Sequence, residues 1–580
     1  MPRRGIAGSG LSPAVCGFAI SAVPAYVLHQ PRRAFPRILD VRRYDPATRY
    51  RMGRRLVNGW GKRGAVRAMA LLLMFQGAAH AQTPIRPISI DVAGPTTMRS
   101  GFETFSIGSD YPGTLLRDDS LAQLKTVRDE LGFRYIRFHA IFHDVLGTYR
   151  EDGGKPNYDW TKIDTLYDRL LAMGIRPFVE LGFTPEAMKT SDQHIFYWKG
   201  NTSHPDLAKW TALIDAFARH LEQRYGREEI RRWYFEVWNE PNLAGFWEGA
   251  DQAAYFALYD ATARALKRVD PQLRVGGPAT AGAAWVPEFI AHAAKDDVPL
   301  DFIATHTYGV DGGFLDEQGK EDTKLSPSPD AIVGDVRRVR QQIQASARPG
   351  LPLYFTEWST SYTPRDAVHD AYLSAAYILS KLKAVDGVAQ GMSYWTFSDL
   401  FEEPGPPTAP FQGGFGLLNP QGIRKPAYFA YKYLHRLGDR ELATGDAQTI
   451  ATWDGNTLKA LVWQFRQPQQ AQSNRSFYTR VQPAAPAGSV RLDLKGLRAG
   501  NYQVTIHRTG FDANDAYTAY LRMGSPASLD APQLKKLHEL TADRPTTREL
   551  HIDKSGTGRL AIPMRDNDVV LIELSPTGKP

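Results

Sequence analysis

The sequence predicts an α/β protein, a (β/α)8 TIM barrel with an accessory all-β sandwich domain, and three observations carry that expectation. Between about residues 102 and 437, short apolar runs alternate with stretches whose apolar positions recur at intervals of three and four, the pattern of a parallel sheet with helical crossovers. Eight such units fit the length of roughly 200 to 400 residues that this barrel occupies. From residue 438 the helical period gives way to alternating strands separated by turn signals.

Taken in order, the expected barrel strands are Glu103 to Ile107, Tyr135 to Phe138, Arg176 to Glu180, Trp233 to Trp238, Arg274 to Gly277, Phe302 to His306, Leu353 to Thr356 and Gly391 to Trp395. Helices are expected at Ser120 to Leu131, Leu207 to Tyr225, Gln252 to Val269, Asp330 to Ala345 and Asp366 to Val385. In the β-domain, Ile450 to Trp453 and Leu458 to Phe465 flank the hairpin signal Asp454-Gly455-Asn456. Strands at Ser489 to Leu494, Asn501 to His507, Arg559 to Ile562 and Val569 to Leu574 follow. Gln467 to Gly488, rich in Gln, Ala and Pro, predicts a flexible loop. Ile85 to Val92 is expected to add a strand to the sandwich. The expected organisation is therefore a leader over 1–81, a joining segment over 82–101, the barrel over 102–437 and the sandwich over 438–580.

The leader has the form of a signal peptide. Arg54, Arg55, Lys62, Arg63 and Arg67 precede the apolar core Ala68 to Phe75, and Ala79-His80-Ala81 has the small-x-small form of a cleavage site. Met52 offers an alternative start, since it opens a signal peptide of ordinary length. The apolar core is shorter than the ~20 residues of a spanning helix, so no membrane anchor is expected in the mature chain. Charge changes with the leader: the whole sequence has 70 Lys and Arg against 62 Asp and Glu, whereas residues beyond 81 hold 56 against 60. The basic balance of the full sequence thus gives no ground for nucleic acid binding. Cys16, the sole cysteine, lies in the leader, which leaves no disulfide or cysteine metal site. A bacterial periplasmic or secreted protein is expected, with homo-oligomer formation left open.

The chemistry gathers where strands end. Trp238-Asn239-Glu240-Pro241 sets an amide beside an acid at the end of the fourth strand, and Glu357 follows the seventh, 117 residues later. In a (β/α)8 barrel, polar residues at the C-terminal strand ends face one site, and here those ends carry His139, Glu180, Asn239, Glu240, His306, Tyr308, Glu357 and Trp395. One acid and one carboxylate facing each other are what glycoside cleavage requires. A single polar residue at a strand end commonly just opens a solvated loop; eight converging residues make a site. Glu236 has the parity of Glu240 but lies mid-strand, and is expected to pair with a base inside the barrel. Glu180 is expected in a supporting role and Glu402 in solvent. No carboxylate or cysteine spacing completes a metal site around His306, and no cofactor is expected.

Further motifs are Arg137-Phe-His139, His306-Thr-Tyr308, Thr356-Glu357-Trp358, Ser393-Tyr-Trp395-Thr-Phe-Ser-Asp399, Phe401-Glu-Glu403, Gly413-Gly-Phe-Gly416 and Asn514-Asp-Ala-Tyr517-Thr-Ala-Tyr520. In this order, from about Phe105 to Met523, the chain resembles glycoside hydrolase family 39, whose members include β-xylosidases and α-L-iduronidase. The resemblance implies that Glu240 is the general acid and then base, and Glu357 the nucleophile. It implies that Asn239 binds the sugar 2-hydroxyl, that Tyr308 and Arg137 support the nucleophile, and that His139, His306 and Glu403 bind other hydroxyls. Trp395 or Phe183 would stack on the sugar. The implied activity is a retaining exo-β-1,4-xylosidase acting on xylo-oligosaccharides. The alternatives keep the mechanism and change the sugar to an α-L-iduronide, β-glucoside, β-galactoside or arabinoside, or reduce the barrel to a sugar-binding protein. A uronate would need a basic partner, for which Lys320 and Arg424 are the candidates. N-terminal sequencing of the exported protein is expected to read from Gln82; a first residue upstream of Met52 would contradict the leader assignment.

Overall fold

A computed structural model describes residues 84–578 apart from residue 317; the leader and its cleavage site lie outside the described residues. Eight parallel strands close into a barrel in chain order. They are β1 (Ser106–Gly108), β2 (Tyr135–Arg137), β3 (Arg176–Leu181), β4 (Tyr234–Val237), β5 (Arg274–Thr280), β6 (Phe302–Tyr308), β7 (Leu353–Ser359) and β8 (Gly391–Tyr394). One long helix follows each strand: Asp118–Leu131, Thr161–Ala172, Leu207–Tyr225, Gln252–Val269, Val286–Lys295, Val333–Gln344, Leu373–Val385 and Pro426–Arg436. Asp206 and Asp251 start two of them by accepting hydrogen bonds from first-turn amides.

Two elements differ from the sequence expectation for local reasons. Glu103 does not enter β1, because Phe102–Thr104 forms a 3-10 turn and the Glu103 carboxylate folds back onto Arg99. The stretch expected as one helix from Asp366 is broken: the Asp366 carboxylate caps a separate 3-10 turn, Ala367–His369, and the helix begins at Leu373.

The period of two along a strand stacks the barrel interior in layers. Phe105, Phe178, Tyr234, Phe302 and Tyr354 form an aromatic floor, with Phe178 stacked on Tyr234 at 5.0 Å and the hydroxyls of Tyr234 and Tyr354 hydrogen-bonded at 3.0 Å. Two residues further along the same strands come Glu180, Glu236 and Thr356, all buried. The charged layer therefore rests on a sealed apolar one, away from water at the lower mouth.

Beyond the barrel lie a seven-stranded and a three-stranded sheet. Ile85–Asp91 runs parallel to Pro486–Lys495 in the smaller sheet, and Thr96–Met98 pairs with Arg440–Leu442 in the larger. The N-terminal segment thus contributes to both. Ile88, Ile90, Val490 and Leu492 from one sheet and Leu458, Val462, Val504 and Ile572 from the other share a buried core. The expected flexible loop Gln467 to Gly488 contains a short helix, Asn474–Tyr478. Asn474 is fully buried; its Nδ2 donates to Asp366 at 2.7 Å and its Oδ1 accepts from the Leu325 amide at 2.9 Å. Tertiary hydrogen bonds order a segment whose composition reads as solvent-exposed. Among the described residues, no helix is long and apolar enough to cross a membrane.

Removing one ring from the floor leaves a cavity that the rigid barrel cannot close. Phe178→Ala is expected to lower unfolding stability by about 3–5 kcal/mol, measured by denaturant titration; a loss below about 1 kcal/mol would show that the floor collapses around the gap.

Candidate active site

Arg137, at the end of β2, is fully buried, and every arm of its guanidinium is used. Nε meets Glu236 at 2.5 Å, Nη1 meets Glu357 at 2.7 Å, and Nη2 reaches both Asn239 Oδ1 at 2.8 Å and Glu180 at 2.9 Å. Burial opposes the charge, but the carboxylates of Glu236, Glu180 and Glu357 outweigh it and keep Arg137 cationic. Glu236 is thus paired with a base, as its mid-strand position predicts.

Glu357 accepts from Arg137 on one oxygen and from the Tyr308 hydroxyl at 2.7 Å on the other. Burial, reinforced by Glu357, holds Tyr308 well above the ordinary phenol range, so it remains a donor. Glu240 faces a different partner: one oxygen lies 2.9 Å from Nδ1 of His306. Burial drives His306 far below the ordinary imidazole range, and Arg137 pushes the same way. With a neutral histidine beside it, Glu240 gains only the weaker pull of the more distant His139 and Arg137. Burial and then the charge of Glu357 raise its carboxyl well above the ordinary range. Ligand atoms of Glu240, His306 and Glu357 lie within 4.8 Å of one another. Both oxygens of Glu357 are already taken by Arg137 and Tyr308, so the cluster is a hydrogen-bonded carboxylate pair rather than a set of free metal donors.

The backbone that presents Glu240 is unusual. Trp238 and Glu240 both take left-handed φ values, 69° and 46°, which bulky L-residues avoid. The surroundings enforce this: the Trp238 indole is fully buried against Trp210 and Trp247 and donates to the Phe246 carbonyl at 2.7 Å. The Glu240 amide donates to the Ala279 carbonyl at 2.8 Å.

On the other side of Glu357, His139 bridges two carboxylates, with Nδ1 2.7 Å from Glu180 and Nε2 3.2 Å from Glu403. Burial disfavours its proton, yet Glu180 and Glu403 together hold it well above the ordinary range. Burial lifts Glu403 to about 7 against the pull of His139. Trp395 packs on His139 at 4.7 Å between centroids and lies over the Arg137 guanidinium at 5.7 Å. Glu402, expected in solvent, is half-buried and pairs with Arg117 at 3.1 Å.

The structure brings all these residues together and gives two of them protein partners that the sequence did not show. His306 is fully buried, and its Nδ1 is turned onto Glu240. Phe183 is stacked behind His139 and against Trp198, where it buttresses the histidine. Asp110 was not legible in the sequence. It lies two residues past β1, accepts from the Trp198 indole at 3.1 Å and the Glu402 amide at 2.8 Å, and is raised to about 8 by burial and Glu403.

A family model described as glycosyl hydrolases family 39 matches residues 88–557. The chain belongs to this family. Among its relatives, a β-xylosidase of Geobacillus stearothermophilus is 38% identical over 81% of this chain and 92% of its own. The solved structure of a monomeric β-xylosidase from Caulobacter crescentus is 65% identical, with a TM-score of 0.83 over 85% of this chain and all of the other. A family 39 enzyme from Xanthomonas axonopodis pv. citri is 60% identical, with a TM-score of 0.85 over 87% of this chain and 99% of its own. This family 39 protein is a glycoside hydrolase of a retaining family, and Glu240 and Glu357 each bring an oxygen within 4.8 Å of the other's, closer than the roughly 6.5–9.5 Å gap of inverting enzymes.

A general acid works only while protonated, so kcat/KM is expected to fall as pH rises through the raised value of Glu240. The same shift bears on stability. Folding favours the protonated carboxyl, so ionising it weakens the fold as pH climbs from about 4.5 towards the raised value. Glu240→Gln is expected to lose the alkaline limb of the rate profile and to melt above the wild type near pH 8 but not near pH 4. Equal melting temperatures at both pH values would contradict the assignment.

Proposed function

We propose that the protein is an exo-β-1,4-xylosidase that releases xylose from the non-reducing end of xylo-oligosaccharides by double displacement. The observation that carries the mechanism is the paired carboxylates in opposite environments, Glu357 on Arg137 and Tyr308, Glu240 on a neutral histidine. Glu357 attacks the anomeric carbon while Glu240 passes its proton to the leaving oxygen. Glu240, now a carboxylate, takes a proton from the incoming water, which displaces Glu357 and restores both groups. The Oδ1 of Asn239 is committed to Arg137, which leaves its Nδ2 hydrogens for the 2-hydroxyl. His139 and Glu403 supply polar heads for the remaining hydroxyls.

Likeness to β-xylosidases supports xylose as the sugar. The basic side chains considered for a uronate stand elsewhere: Arg424 pairs with Glu130 and lies over Tyr428, and Lys320 is exposed at the turn of a hairpin. We further propose periplasmic or secreted placement, on the strength of the leader sequence, and a monomeric working unit, on the likeness to a monomeric relative.

The test is a panel of aryl glycosides with two variants. The β-xyloside is expected to show the highest kcat/KM; a higher value on an α-L-iduronide or β-glucoside would overturn the choice of sugar. Glu357→Ala should lose turnover on every substrate. Glu240→Ala should lose about 10²- to 10⁴-fold on poor leaving groups and far less on activated ones. Proton NMR should show β-xylose as the first-formed product, and the α-anomer first would contradict retention.

A further inference from the structure

We infer that the hairpin following β6, together with Tyr362, forms a binding subsite for the leaving-group xylosyl residue, and that the β-domain helix Asn474–Tyr478 holds this subsite in place. The inference rests on the xylosidase reading and adds the part of the substrate beyond the cleaved bond.

The barrel order fixes which side is free. Glu240 and Glu357 stand at the ends of β4 and within β7. His139, Glu180, Trp395 and Glu403, from the ends of β2, β3 and β8, enclose the side where the sugar to be released would sit. The leaving group must therefore project past Glu240 towards β5 and β6. There β6 runs directly into an antiparallel hairpin, Val310–Leu315 with Glu321–Leu325. Tyr362, in the loop after β7, stands edge-on to Tyr308 at 6.2 Å between centroids, and Tyr308 touches Glu357. Tyr362 is 44% exposed, unlike the buried rings of the inner pocket, and its hydroxyl lies against the hairpin at Gly312. An exposed aromatic face beside a sugar-cleaving carboxylate has the form of a stacking platform for the apolar face of a pyranose ring.

The support for this platform comes from the other domain. Asp366, close behind Tyr362 in the same loop, accepts from Thr323 on the hairpin at 2.7 Å and from Asn474 at 2.7 Å. Asn474 also accepts the hairpin amide of Leu325. Arg475 pairs with Asp316 at 2.7 Å, and its backbone amide donates to Asp322 at 2.9 Å. One short helix of the β-domain thereby fastens both walls of the free side.

The test compares xylobiose, whose leaving group is a sugar, with β-xylopyranosyl fluoride, whose leaving group has no ring to stack. Tyr362→Ala is expected to lower the ratio of kcat/KM on xylobiose to that on the fluoride about tenfold, mainly through KM, and Tyr362→Phe to restore it. Asn474→Ala should lower the same ratio in a variant that still melts cooperatively. An unchanged ratio in Tyr362→Ala, or a parallel loss on both substrates in Asn474→Ala, would overturn the inference while leaving the xylosidase reading intact. A wild-type protein inert towards both substrates would overturn that reading and this inference with it.

Discussion

The site depends on one buried cation. Arg137 has no access to water, and an unpaired guanidinium in such a place would be prohibitively unstable. It is tolerated because Glu236, Glu180, Glu357 and Asn239 converge on it from three other strands. The same convergence decides the chemistry. Two cations, Arg137 and His139, stand among five enclosed carboxylates, Glu180, Glu236, Glu240, Glu357 and Glu403, and burial does not allow all five to ionise together. Burial raises Glu236, Glu240 and Glu403 even where a cation stands close by. Glu240, whose hydrogen-bonded partner is a neutral histidine, is held well above the ordinary range, and burial lifts Glu403 to about 7 despite His139. In the proposed mechanism acid and nucleophile are thus distinguished by their neighbours, since both are the same amino acid.

That arrangement needs a dry and rigid base. The aromatic floor supplies it, and the period of two along each strand places the charged layer directly above. The strained turn at Trp238 and Glu240 completes the geometry by aiming the acid across the mouth of the barrel, and the energy stored there is held by the burial of the Trp238 indole. Stability and function are coupled through the same few strand ends.

Much of this was legible in the sequence, and for physical reasons. Strand periodicity located all eight barrel strands, and the polar residues at their ends gather into one site because barrel topology puts them on one face. Glu236 could be assigned to a buried pair from parity alone. What was lost depended on tertiary contacts. Glu103 left β1 because Arg99 was within reach, and Gln467 to Gly488 looked like a polar loop although Asn474 buries its amide in a neighbouring domain. His306 illustrates the limit most clearly: its position at a strand end was readable, but whether it faced substrate or acid was a matter of side-chain direction. Asp110 had no motif around it, and Tyr362 no periodicity.

The central claim is that the environment of Arg137 and Tyr308 makes Glu357 the group that bonds to sugar. It is tested most directly by trapping the enzyme with a fluorinated aryl xyloside that stalls after the first displacement, followed by peptide mass spectrometry. A single xylosyl adduct on the peptide containing Glu357 is predicted. An adduct on Glu240, or full turnover with no covalent species, would contradict it.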